Sequence, residues 1–377
     1  MLVPLWRLYN MERGCVLMIS GYNQRAIISF CRFAKENGID FYIIARNHDD
    51  IIFFSEYEKQ VIDIRKSAEF ATDDFKNWKA QINRSKVLIL PTTEYFNRFI
   101  LANRRVLENI GYTVPLCEEK TYVEISDKYS FGRLCEKHGI QVPLEQNRPL
   151  KFPCVAKPKS YSTSTNMILK PVILHSEDAY GTFLAAYRPD DFYFQDFIGG
   201  KSIYLLFYFS TGGKVSVFSQ ENLMQRDQGL SIIAALSSDH HLRSIASRYV
   251  KMFSALAFHG LVMVETKFHN RQYYAIEANP RLWGPSQLIL DSGMDLFHRF
   301  MSDYGLLPAG KSAAVYRTKV PYFWSGGIFQ DSKNEAEIAF HGGYNPGKFM
   351  RDYYRFFSSE IYLRKDTFGI YRSEHGI

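Results

Sequence analysis

The chain has 377 residues, 46% hydrophobic and 23% charged, and its net charge of +7 is spread along its length. That is long for one domain and ordinary for a folded protein, so two or three domains with ample core are expected, and a disordered chain or a nucleic-acid arm of clustered charge is excluded. Five cysteines, none in a CxxC pair, argue against a disulfide framework or a zinc site and for a reducing compartment. The amino terminus shows no basic region followed by an apolar one, and no apolar run approaches the roughly 18 residues of a spanning helix. A cytoplasmic protein without signal peptide or membrane span is therefore expected. Its 30 Phe and 25 Tyr are read as an aromatic-rich core.

Residues 15 to 45 read strand, turn, helix, strand: "CVLMIS", then helical spacing at Ile27, Phe30, Phe33 and Ala34 closed by Gly38, then "IDFYIIA". A further strand, "KVLILP" at 86 to 91, leads into a helical stretch from Thr93 to Asn109. This predicts a small doubly wound parallel-sheet domain. The first turn, "SGYNQR", lacks the glycines of a dinucleotide fingerprint, yet it lies where ligands of such sheets collect. "SDKYSFGRLCEKHGIQVP" predicts a helix capped by Ser126 and stopped by Gly139. "PCVAKP" and "NMILKPVIL" read as strands around a Ser/Thr-rich loop, "KSYSTSTN" at 159 to 166. "FYFQDFI" at 192 to 198 is another strand, "SIYLLFYFSTGGKVSVFSQ" a hairpin over Ser210 to Gly213, and 239 to 258 a helix. His240 and His241 are read as surface residues.

The stretch "GLVMVETKFHNRQYYAIEANPRLWG" places an acid in each of two apolar strands, Glu265 and Glu277. Alternation puts Met263, Glu265 and Lys267 on one face of the first strand, and Tyr273, Ala275, Glu277 and Asn279 on one face of the second. A turn centred on Arg271 sets Glu265 opposite Glu277, with Cβ atoms about 5 Å apart. Two bare carboxylates that close repel, and a hard divalent cation removes the problem. Two Glu and one Asn suit Mg²⁺ or Mn²⁺, and Arg281 follows within reach of the same phosphate or a developing anion. The alternative is a solvated face with Glu265 paired to Lys267 or Lys157; the compound pattern Glu, then Glu-x-Asn-Pro-Arg, favours the metal.

At this point the sequence resembles the ATP-grasp superfamily. "VET…YAIEANPR" is similar to that family's metal-binding hairpin, "ISDKYSFGRLCEKHGIQVP" to the helix opening its ATP-binding region, "PCVAKP" to a phosphate-lysine strand, and "FYFQDFIGG" to its adenine hinge. The resemblance implies an α/β, more narrowly α+β, fold. A Rossmann-like domain over 1–118 would precede a two-lobed ATP-grasp domain with antiparallel sheets over 119–305, whose smaller lobe spans about 150–200. A carboxy-terminal extension, 306–377, would pack on the core. It implies ATP held by Lys128 and Lys157, the base by backbone near Gln195, Asp196 and Ile198, and metal by Glu265, Glu277 and Asn279. Arg281 would stabilise charge on the reacting centre, and Arg226, in "QENLMQRDQGLSI", would hold a phosphate or substrate carboxylate. Two departures stand out. The loop after Lys157 is Ser/Thr-rich instead of glycine-rich, and past the hinge no acid awaits the ribose, leaving Lys201 and Ser202, with Ser202 the implied nucleotide contact.

The implied activity is ligation of a small-molecule carboxylate to an amine through an acyl phosphate, with ADP released. A phosphotransferase on the same scaffold and a non-catalytic ATP-binding module are the other readings. No nucleic-acid partner is expected; a homodimer is compatible with the sequence.

Overall fold

The computed structural model describes residues 14–149, 151–161, 168–310, 315–333 and 337–377. The first five strands are β1 (Cys15–Ile19), β2 (Asp40–Ala45), β3 (Val61–Ile64), β4 (Val87–Ile89) and β5 (Tyr112–Thr113), in the parallel order β3-β2-β1-β4-β5. β1 is apolar throughout because both its faces are covered: Val16 and Met18 join one core cluster, Cys15 and Leu17 the other. The helix Gln24–Glu36 buries Ile27, Phe30, Phe33 and Ala34, the expected face. The sheet order reverses between β1 and β4, which opens a crevice at their carboxyl ends. The helix expected over Thr93 to Asn109 is divided at Asn103 into Glu94–Ala102 and Arg104–Ile110.

Ser126 does not cap the next helix. It is the last residue of a preceding helix, Glu119–Ser126, and Asp127 holds the extended cap position before Lys128–Lys137. Ser126 points elsewhere because its hydroxyl and the Asp127 carboxylate both accept from Arg98. Gly139, at φ +66°, ends the segment as expected.

A small antiparallel sheet follows, ordered β6-β9-β7-β8, from β6 (Glu145–Gln146), β7 (Cys154–Pro158), β8 (Val172–Leu174) and β9 (Phe192–Asp196). Cys154, Ala156, Phe192 and Phe194 face its own apolar cluster. Val155, Lys157, Tyr193 and Gln195 take the opposite face by alternation. Of the Ser/Thr-rich loop, residues 162–166 lie outside the described residues.

The large antiparallel sheet runs β14-β13-β10-β11-β12-β15, with β16 added to β11. Its strands are β10 (Lys201–Phe209), β11 (Val215–Gln225), β12 (Ile232–Ser237), β13 (Gly260–His269), β14 (Gln272–Asn279), β15 (Pro321–Phe323) and β16 (Ala339–Phe340). The helix Ser244–Ala255 covers one face through Tyr249, Met252 and Phe253. His240 and His241 are not free surface residues: they are half-buried, and their rings bond the hydroxyls of Tyr273 (2.7 Å) and Ser219 (2.9 Å).

One core cluster joins Val16 and Phe30 of the first sheet layer, Tyr204 and Met263 of the large sheet, and Ile361 and Ile370 near the carboxy terminus. Arg32, 7% exposed, fastens the last segment by bonding Asp366 at 2.7 Å. No helix among the described residues is long and apolar enough to cross a membrane.

Candidate active site

The β13–β14 hairpin turns on two residues, Asn270 and Arg271, both left-handed at φ 48° and 62°. His269 therefore pairs with Gln272, and the register near the turn is one residue short of that set by a turn on Arg271 alone. Thr266 pairs with Ala275, but Glu265 pairs with Glu277, because Ile276 is an extra, bulged residue. The expected opposition of the two acids is present, produced by a bulge. The bulge also corrects the expected face: Tyr273 and Ala275 pack with Val262 and Val264, whereas Glu277 and Asn279 turn to the other side.

Six predicted side chains meet there. Lys128, at the amino end of its helix, pairs with Glu277 Oε2 at 2.7 Å. Asn279 donates its amide to Glu277 Oε1 (2.8 Å), and Arg281 donates to Asn279 Oδ1 (3.0 Å). Lys157 crosses from the small sheet and donates to the carbonyl of the bulged Ile276 at 2.8 Å. Glu265 stands beside Glu277 and 3.7 Å from Lys267.

Electrostatics separates the two acids. Burial pushes Glu265 up, Glu277 adds repulsion, and Lys267 opposes both. Burial would raise Glu277 too, but the Lys128 charge and the hydrogen bonds from Lys128 and Asn279 outweigh it and bring its carboxyl down to about 2. For Lys128 burial is likewise overcome, by Glu277, and its pKa rises. Lys157 is 5% exposed; burial brings its ammonium down to about 8, with Glu277 only partly offsetting.

Among the described residues no carboxylate comes within ion-pair reach of Lys157, a buried cation answered only by a carbonyl. Such a group fits a phosphate chain passing between the two sheets. Two carboxylates and an amide oxygen are hard donors that fit Mg²⁺ or Mn²⁺. Among the described residues no three His, Cys, Asp or Glu side chains cluster, so the fit depends on counting Asn279.

At the expected hinge, Gln195 is buried, donates to the Pro143 carbonyl (3.3 Å), and leaves its Oε1 without a partner. Asp196 accepts from the Gln146 side chain, and its own N–H donates to the Leu144 carbonyl. Ile198 lines a cavity of about 440 Å³ together with Phe197, Gly200 and Lys267. Ser202 is fully buried and accepts from the Asn222 amide (3.0 Å), so its hydroxyl is engaged within the sheet. Arg226 directs its guanidinium to Gln330 Oε1 (3.0 Å), on the helix Gly326–Lys333.

Other residues reach the site without having been singled out in the sequence. Tyr204 pairs with Glu265 in the ladder. Burial pushes its hydroxyl well above the usual range, and the charges of Glu265, Glu277, Arg281 and Arg25 also act on it. Asn23, in the first turn of the parallel sheet, donates to the carbonyls of Thr92 (3.0 Å) and Leu282 (2.9 Å). It thereby pins the segment after Arg281 to the sheet's crevice. "SGYNQR" signalled this only by its place at the end of a strand.

No protein-family model matches this chain, and neither does any curated protein sequence. Solved structures do. The biotin carboxylase domain of 2-oxoglutarate carboxylase from Hydrogenobacter thermophilus, in complex with MgADP, ADP and bicarbonate, is 13% identical with a TM-score of 0.60, over 81% of this chain and 73% of that one. An N5-carboxyaminoimidazole ribonucleotide synthetase in complex with ADP is 14% identical with a TM-score of 0.61, over 86% and 85%. The biotin carboxylase from Campylobacter jejuni is 14% identical with a TM-score of 0.59, over 81% and 74%. At these identities the likeness is one of fold: the chain has the mixed α/β ATP-grasp fold.

Proposed function

We propose that the protein is an ATP-dependent ligase that activates a substrate carboxylate as an acyl phosphate and couples it to an amine, releasing ADP and phosphate. The observation that carries this reading is the meeting of Lys128, Lys157, Glu265, Glu277, Asn279 and Arg281 at one place, supplied by a helix terminus, the small sheet and the large sheet. The ADP and bicarbonate bound in a structure of the same fold support nucleotide and carboxylate as substrates. In this reading residues 1–118 are the preceding domain, 119–305 the ATP-grasp domain and 306–377 a carboxy-terminal extension, and the protein is cytoplasmic.

Lys128 and Lys157 hold the nucleotide phosphates, one from a helix amino terminus and one from a buried strand where water screens little. Gln195, Asp196 and Ile198 form the base hinge. Glu265, Glu277 and Asn279 would hold Mg²⁺ or Mn²⁺, which supplies charge neutralisation on the transferring phosphoryl group. Arg281 faces the developing acyl phosphate and then the tetrahedral oxyanion formed as the amine attacks. Arg226 and Ser202 are assigned to the substrate carboxylate and the nucleotide, and each would have to leave its present partner to act. The acyl phosphate has to be kept from water until the amine attacks. The test is ADP release in the presence of carboxylate and amine pools: release requiring both supports ligation, and release with a hydroxyl acceptor alone points to phosphotransfer.

A further inference from the structure

The helix Pro346–Phe357 needs one apolar stripe to pack on the core, and it carries two. Phe349 and Phe356 form the first. They bury against Phe323 of β15, with ring centroids 5.6 and 6.2 Å away. Met350, Tyr353, Tyr354 and Phe357, at i, i+3, i+4 and i+7, form the second. This stripe reaches solvent: Met350 is 68% exposed and Tyr354 86%. Its rings continue from Tyr353 through Phe357 (5.6 Å) to Tyr371 (6.5 Å) and Phe368 (6.1 Å) on the helix Phe368–His375, where Phe368 is 49% exposed. An apolar strip that crosses two helices and lies open to water calls for an occupant.

The charges around the strip are sorted. Lys348, Arg351 and Arg355, at i, i+3 and i+7, run beside Met350 and Tyr354 and are exposed, as are Lys319 and Lys365 near by. Among the described residues none of these cations has a carboxylate within ion-pair reach; Lys348 and Arg355 meet only the carbonyls of Gly343 and Lys319. Arg364 is paired with Asp291, and Arg372 bonds the Ile377 carbonyl. The acids of residues 346–377 are all engaged within the fold. Asp352 accepts from the Tyr344 hydroxyl (3.1 Å) and Glu360 from the N–H groups of Tyr362 and Leu363 (both 2.6 Å). Asp366 accepts from Arg32 and Tyr57, and Glu374 from the Trp324 indole (3.0 Å). On the adjoining segment Glu56–Gln60, Glu56 is paired with Lys35, and the charges of Glu58 and Lys59 cancel. The outer face is therefore apolar and cationic.

We propose that this face docks on an anionic lipid bilayer, with the helix Pro346–Phe357 lying in the plane of the headgroups. The proposal goes beyond the ligase reading and does not depend on it. The chemistry matches on two counts. Met350 and the tyrosines enter the boundary between headgroups and acyl chains, where a tyrosine ring is in apolar surroundings and its hydroxyl stays wet. The row Lys348, Arg351 and Arg355 reaches lipid phosphates, each cation adding attraction to an anionic surface. A second copy of the chain is a poorer occupant, because a two-fold contact through this face sets the cationic row against itself. Nucleic acid would answer the cations through its phosphates and leave Met350 in water.

The test is sedimentation of the full chain with vesicles of phosphatidylcholine alone and with phosphatidylglycerol mixed in. The wild type is expected to sediment with the anionic vesicles only, and to be released as salt is raised. Arg351→Gln with Arg355→Gln should weaken binding roughly fivefold per cation, about 25-fold together. Met350→Ser with Tyr354→Ser should weaken it about tenfold and leave its salt dependence in place. Lys120→Gln with Lys137→Gln removes the same charge from exposed positions of the helices Glu119–Ser126 and Lys128–Lys137, and should leave binding unchanged. All these side chains are exposed, so each variant should melt as the wild type does. Should the Met350 and Tyr354 variant fail to fold, the arginine and lysine variants decide. No binding to anionic vesicles, or equal losses in the arginine and lysine variants, overturns the proposal. So does a concentration-dependent dimer in analytical ultracentrifugation that Met350→Ser with Tyr354→Ser dissociates, which would give the face to a second copy.

Discussion

Replacing Glu277 by glutamine separates the metal-binding role of this side chain from its structural one. Both carboxylate oxygens are engaged, by Lys128 at 2.7 Å and by the Asn279 amide at 2.8 Å, and the side chain is 23% exposed. Glutamine keeps one acceptor oxygen and places an NH₂ group against a second donor. The loss is one charge-assisted hydrogen bond in a half-open setting, about 1.5 kcal/mol. For a chain of this size that lowers the melting temperature by only a few degrees. The metal effect is larger, because a neutral amide replaces a charged ligand. Metal-dependent affinity for an ATP analogue should fall at least tenfold, and turnover by about 10²-fold or more. Calorimetry with and without Mn²⁺ reads the metal contribution, and thermal melting the structural one. A Glu277→Gln protein that binds analogue and Mn²⁺ as tightly as wild type refutes the assignment of Glu277 to the metal.

Lys157 must be protonated to hold phosphate, and its ammonium titrates near 8, so nucleotide affinity should fall as pH rises through about 8. Lys157→Met should bind nucleotide more weakly and show no such fall in the same titration. Glu277, held at about 2 and ordinarily near 4.5, contributes stability that is present above its unfolded value and lost as pH falls toward 2. The difference in melting temperature between wild type and Glu277→Gln should therefore shrink on acidification through that window. Asn23→Ala removes two hydrogen bonds that join the parallel sheet to the segment after Arg281, and should cost about 1–2 kcal/mol in denaturant unfolding. Arg271→Gly, at φ 62° in the hairpin turn, should raise stability by about 1 kcal/mol without changing nucleotide affinity.

Much of the site was legible because its chemistry is costly elsewhere. Acids in two apolar strands and a lysine in "PCVAKP" stand out, since each is a buried charge in need of a reason. Their mutual approach was legible too, but the route was not. Nothing in "YYAIEAN" announces that Ile276 is bulged, because a bulge is a backbone event with no required residue type. Ser126 was misread as a cap because local sequence does not show Arg98, 28 residues earlier, claiming its hydroxyl. β3 and the helix Thr72–Gln81 escaped for a different reason: β3 is four half-buried residues and shows no alternation. Tyr204 and Asn23 act through contacts between distant segments, which no short motif encodes.

The central claim is that a carboxylate oxygen attacks the terminal phosphate of ATP. Its most direct test follows ¹⁸O from a labelled carboxylate substrate, chosen by a thermal-shift screen with ADP and Mg²⁺, into released inorganic phosphate during turnover with an amine. The account predicts one labelled oxygen per phosphate, with ADP and the amide formed in equal amount. Unlabelled phosphate, or a product phosphorylated on a hydroxyl, contradicts it.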